Sequence, residues 1–141
     1  MNKIIIAVAS TLLLAILVSN AYGKDDIYSS FYKNEENCSL LAKASFEAYR
    51  MFADSHLLLL SFGNNSSKYD RFYNRKFKEM QNISYIRSNR LFTDEVVNQL
   101  LRDAIYIWEK SGNDYITEQQ ADYRIRFKNC MSPTEKIEDS Q

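Results

Sequence analysis

The chain of 141 residues has few of the groups that most enzymes need. It has one histidine, His56, one proline, Pro133, and three glycines, two of which, Gly63 and Gly112, lie beyond residue 23. Sheet-rich domains need more turn residues than that, so composition favours helices. A lone histidine without cysteines or carboxylates at ligand spacing gives no metal site. Asp54, two residues from His56, would point elsewhere on a helix. A hydrolytic triad built on His56 would have to draw its serine and its acid from distant sequence. No glycine-rich phosphate loop is present, and no local pair of carboxylates stands out as acid and base. Catalytic, metal-binding and cofactor-binding residues are all expected to be none. The enzyme reading that remains is a small hydrolase using carboxylates alone.

An excess of charge is lacking too. The chain balances 18 basic against 18 acidic residues, so its bulk charge gives no reason to expect nucleic acid as a partner. Long apolar runs are confined to the start. Asn2-Lys3 precedes an uncharged stretch from Ile4 to Val18, and small residues follow at Ala21 and Gly23. Residues 1–23 therefore read as a signal peptide, with a retained anchor as the alternative. The 15 residues of the run fall short of the roughly 20 that span a bilayer. Export to a periplasmic or secreted compartment is the expectation, with residues 24–131 as a single helical domain and 132–141 as a flexible polar tail.

Cysteine is scarce but even in number. Cys38 and Cys130 allow one intramolecular bridge, and an exported chain makes that bridge the expected state, with two buried thiols as the alternative. It would close a loop of about 93 residues, worth roughly 4–5 kcal/mol in the chain-entropy account.

Four helices are expected. Asn34 can cap the first, and Glu35 and Glu36 suit its positive end. Cys38, Leu41, Ala42, Ala48, Tyr49, Phe52 and Leu59 recur at three- and four-residue steps, so the helix either runs to Phe62 or breaks at Asp54-Ser55. Gly63-Asn64-Asn65-Ser66-Ser67 is the clearest break in the chain. The second helix starts near Ser67 or Lys68 with a stripe of Tyr69, Phe72, Tyr73, Phe77 and Met80; it reaches about Gln81 and, after a bend, Arg87. The third is capped by Thr93, with Asp94 and Glu95 in its first turn, Val97, Leu100, Leu101, Ala104 and Trp108 on its apolar face, and Gly112 as its stop. The fourth opens on Thr117-Glu-Gln-Gln120, carries Ala121, Ile125 and Phe127, and ends near Met131 before Pro133. Four helices with short loops run up and down alternately, which returns the end of the fourth to the start of the first. That brings Cys130 to Cys38. The expected fold is all-α: a small antiparallel four-helix bundle closed by one disulfide.

Three features suggest contact surfaces. Residues 68–90 hold seven cations, Lys68, Arg71, Arg75, Lys76, Lys78, Arg87 and Arg90, against Asp70 and Glu79, a net of +5. Aromatics interleave with them, so the segment is either a face for an anionic partner or the solvated side of a core helix. Tyr28 and Tyr32, before the first helix, are expected to be the most exposed tyrosines and to serve an interface or plain surface. Leu57 to Leu60 is a run of four leucines that one helix cannot bury on one face; burial within the bundle is expected, an exposed patch being the alternative.

In layout (leader, about 118 further residues, four helices, cysteines near the two ends) the chain resembles small periplasmic binders. Among these are immunity proteins of secreted cell-wall amidases and acid-stress chaperones. The resemblance is one of layout and transfers no functional residue. The leading functional expectation is a non-catalytic exported protein that binds another protein, as inhibitor, immunity factor or envelope adaptor. The alternative is an envelope-associated or chaperone-like protein that meets an anionic membrane surface through residues 68–90.

Overall fold

The computed structural model describes residues 26–111 and 115–133, with side chains at 26–110 and 123–133. The expected leader, the Gly112 stop, the Thr117 cap side chain and nearly all of the polar tail lie outside them. All regular structure among the described residues is helical. A 3-10 turn at Ser29–Phe31 precedes α1 (Glu35–Ala53), α2 (His56–Ser61), α3 (Ser66–Asn82), α4 (Ser84–Arg87), α5 (Asp94–Ser111) and α6 (Tyr115–Met131).

Local chemistry accounts for most boundaries. The Asn34 side chain accepts a hydrogen bond from the Asn37 amide, and Asn65 accepts one from Lys68, so α1 and α3 both start on asparagine caps. Thr93 Oγ1 accepts from the Val96 amide at 3.2 Å and starts α5 as expected. α1 stops at Asp54-Ser55, so the leucine run forms a separate short helix. Gly63 adopts φ 57°, which glycine reaches without a Cβ clash, and turns the chain into α3. The bend after the second expected helix falls at Ile83, which sits in extended geometry between α3 and α4. α6 begins at Tyr115, two residues before the Thr117 cap suggested by sequence.

α1 is the element on which the others pack. It lies against α6 and α5 most extensively, and also touches α3, α2 and the 3-10 turn. Small residues make this close approach possible: Ala42, Ala44 and Ala48 are fully buried, interspersed with Leu41, Tyr49 and Phe52. Phe72 and Met80 of α3, Val97, Leu100 and Leu101 of α5, and Leu59 of α2 complete the core. Each large apolar side chain so buried contributes on the order of 1.5–3 kcal/mol.

Cys38 and Cys130 are bonded, with 92 residues of sequence separation between them. The start of α1 and the end of α6 therefore meet. The Lys33 amide donates to the Cys130 carbonyl at 2.9 Å, and both sulfurs lie within 3.5 Å of the Phe31 carbonyl oxygen. Three stretches of chain share this seam. Leu59, by contrast, sits near the other end of α1, where Tyr69 donates its hydroxyl proton to the Leu59 carbonyl at 2.8 Å.

Candidate functional site

The tyrosines before α1 do not form an exposed contact. Tyr28 is only 6% exposed, and Tyr32 is half-buried. The Tyr28 hydroxyl donates to Asp103 Oδ2 at 2.7 Å; the same oxygen accepts from Arg126 at 3.0 Å, and Gln99 donates to the other carboxylate oxygen. The Arg126 guanidinium also stacks over the Tyr28 ring. Burial, then the adjacent Asp103 charge, push the Tyr28 phenol well above its usual pKa against the opposing Arg126 charge, so the phenol keeps its proton and remains a donor. This network ties the N-terminal arm to α5 and α6. Sequence periodicity gave no sign of it, because its four members come from three separate segments. Tyr32 donates instead to Asp26 within the arm.

His56 likewise serves packing. Its Nδ1 accepts from the Trp108 indole N–H at 3.1 Å, and the two rings meet edge to face with centroids 5.4 Å apart. The pair fixes the start of α2 against α5. Among the described residues no group of three His, Cys, Asp or Glu side chains converges on a potential metal position.

The basic segment divides. Lys68, Arg71, Arg75 and Lys78 recur at three- and four-residue steps on α3 and all four are exposed. The first three, with Phe62 and Asn74, line an open depression of about 450 Å³. Lys76 lies on the other side, half-buried, with its ammonium over the Phe72 ring and bonded to Glu79 at 3.1 Å. Arg87 and Arg90 fall beyond the Ile83 break, at the end of α4 and in the loop after it. Of the seven cations, three gather in one place and one extends their row. The interleaved aromatics serve the core: Phe72 is buried, and Tyr69, Tyr73 and Phe77 pack against it in part. Tyr73 donates to Asn98 Oδ1 at 2.8 Å, which joins α3 to α5.

The leucine run reverses the expectation of burial. Leu59 is 1% exposed, but Leu57 is 81% exposed and Leu58 and Leu60 are 47% exposed each. A six-residue helix held on one side by Leu59 must turn its other residues outward. The turn is firmly mounted: Leu59 is anchored from behind through Tyr69, His56 through Trp108, and Phe62 packs edge-on to both Tyr69 and Phe72. Phe62 borders the leucines in sequence and lines the cationic depression, so apolar turn and basic face are continuous through it. Neither half signals the other in sequence, since Gly63-Asn64-Asn65 separates them.

Nothing matches the chain among protein-family models, curated proteins or solved structures. No helix among the described residues is long and apolar enough to cross a membrane.

Proposed function

We propose that this is a non-catalytic protein that acts by binding, and that its contact surface is the α2 leucine turn together with the Lys68–Arg71–Arg75 face. The observation that carries the reading is the 81% exposure of Leu57 on a helix whose opposite side is locked to the core. An apolar side chain that stabilises nothing in its own fold is what a contact surface presents. The proposal includes export after removal of the leader, supported by the disulfide, and an antiparallel bundle arrangement of the four long helices, supported by the meeting of α1's start with α6's end. The sequence-derived roles of inhibitor, immunity factor or envelope adaptor all fit such a surface. A hydrolase reading draws no support from it.

The experiment is site-specific photocrosslinking in an exporting host. A photoreactive residue at Leu57 is expected to give adducts, whereas one at exposed Glu36, near the disulfide, gives none. Equal yields at the two positions overturn the reading.

A further inference from the structure

The contact surface has a shape and a charge that select among partners. Resting on the reading that this face is where the protein binds, we propose that its partner is an anionic lipid bilayer. Leu57, Leu58 and Leu60 enter the boundary between headgroups and acyl chains, while Lys68, Arg71 and Arg75 meet the lipid phosphates.

Three observations favour lipid over a protein surface. First, the apolar part is a projecting turn, not a groove; Leu57 keeps 81% of its surface free of the protein's own atoms. Three leucines supply much less area than the roughly 1,200–2,000 Å² that a stable protein interface buries, but interfacial insertion needs only a few apolar side chains backed by cations. Second, no carboxylate, lysine or arginine lies between Ser55 and Ser67, so the leucine turn that would enter the interface brings no such charge with it, and the His56 Nδ1 is already occupied by the Trp108 indole N–H. Third, the cations stand immediately behind this segment, in the first turns of α3 and around the same Phe62. That is the depth at which headgroup phosphates meet a shallowly inserted side chain. The neighbouring acids do not cancel them. Asp54 pairs with Arg50 at 3.6 Å, and Asp70 lies about 100° or more around α3 from each cation. Glu109 of α5, whose charge adds to burial in raising the Tyr69 phenol, is near this face but sets one acid against three cations. The Asn64 and Asn65 side of the turn is uncharged and exposed, leaving the approach open.

The geometry separates two contributions. The leucines supply a salt-insensitive attachment, and the cations supply a screened attraction worth about fivefold in affinity for each one near the surface. The test uses the full disulfide-bonded protein with vesicles of phosphatidylcholine alone or mixed with phosphatidylglycerol, read by cosedimentation at low and high salt. The expected result is binding to the phosphatidylglycerol vesicles and weak binding to the neutral ones. A triple Leu57→Ser, Leu58→Ser, Leu60→Ser variant is expected to bind about tenfold more weakly or worse at both salt levels. The triple Lys68→Gln, Arg71→Gln, Arg75→Gln variant is expected to lose most of the salt dependence. All six positions are exposed, and helical circular dichroism checks that both variants fold.

Unchanged binding by the leucine variant, with loss in the cation variant, overturns insertion while leaving the binding face in place. Absence of binding to anionic vesicles, together with a protein adduct from the Leu57 crosslinker, overturns the lipid assignment and makes the face a protein-docking site. Absence of both overturns the inference and the reading beneath it.

Discussion

At the scale of single residues, two tyrosines separate buried hydroxyls by what they touch. The Tyr28 hydroxyl donates to Asp103 beside Arg126, whereas the Tyr85 hydroxyl has no hydrogen-bond partner among the described residues. Tyr28→Phe deletes a hydrogen bond to a charged group and is expected to cost about 1.5–3 kcal/mol in urea denaturation. Tyr85→Phe removes a buried hydroxyl that gives nothing back for its lost hydration, so the expected change in the same measurement runs from none to a gain of about 1 kcal/mol or more. Lys43 over the Tyr85 ring at 4.6 Å keeps its cation–π contact in the variant. Both phenols, with those of Tyr69 and Tyr73, sit above the ordinary tyrosine value of 10.0, principally because of burial. The folded state therefore holds their protons when the unfolded chain releases them. This contribution to stability is fully present below pH 10 and is lost as pH rises through the folded values. Denaturation midpoints followed from pH 8 to 11 are expected to fall only in the upper part of that range, with a shallower fall in Tyr28→Phe.

At the scale of elements, backbone conformation decides two further outcomes. Lys33 has φ 60° where its amide reaches Cys130, a conformation costing a non-glycine residue about 1 kcal/mol or more. Lys33→Gly removes that clash but adds unfolded-state freedom, so the expected result is a small gain or no change, whereas Gly63→Ala loses about 1 kcal/mol. Thermal melts of the two variants should move apart. The same scale shows what the sequence revealed. Asn34, Thr93 and the Asp54-Ser55 break were legible because caps and breaks are written in adjacent residues. The stripe of α3 was legible because Phe72 and Met80 face the core that a 3.6-residue period implies. The leucine turn was legible only in part: Leu59 belonged to the apolar stripe and is buried, but the exposure of its three neighbours went against the favoured burial. Whether Leu57 or Leu59 goes inward depends on the short helix's rotation, and that is set by Tyr69 ten residues later and Trp108 on another element. The cationic face was half legible: the density of charge was plain in the sequence, but its division among α3, α4 and the loop rested on the Ile83 break. Tyr28 was placed on the wrong side of the surface because its partners, Asp103 and Arg126, are 75 or more residues away.

At the scale of the whole molecule, the disulfide spans nearly the whole described chain. Cys38→Ala with Cys130→Ala opens a loop whose closure is worth roughly 4–5 kcal/mol, so the urea midpoint of the double variant is expected to fall sharply relative to the bonded form. A variant as stable as the bonded protein would show that packing of α6 on α1 already closes the fold. The seam has another consequence. From Cys38 to Ala53, α1 advances about 22 Å, so the place where Phe31, Lys33 and Cys130 converge is a helix length from Leu57. A purification tag, a fluorophore or a tether joined beyond either margin of the described chain departs from the pole remote from the leucines. Protein immobilised by either margin therefore presents the turn outward, like the tip of a stamp held by its handle.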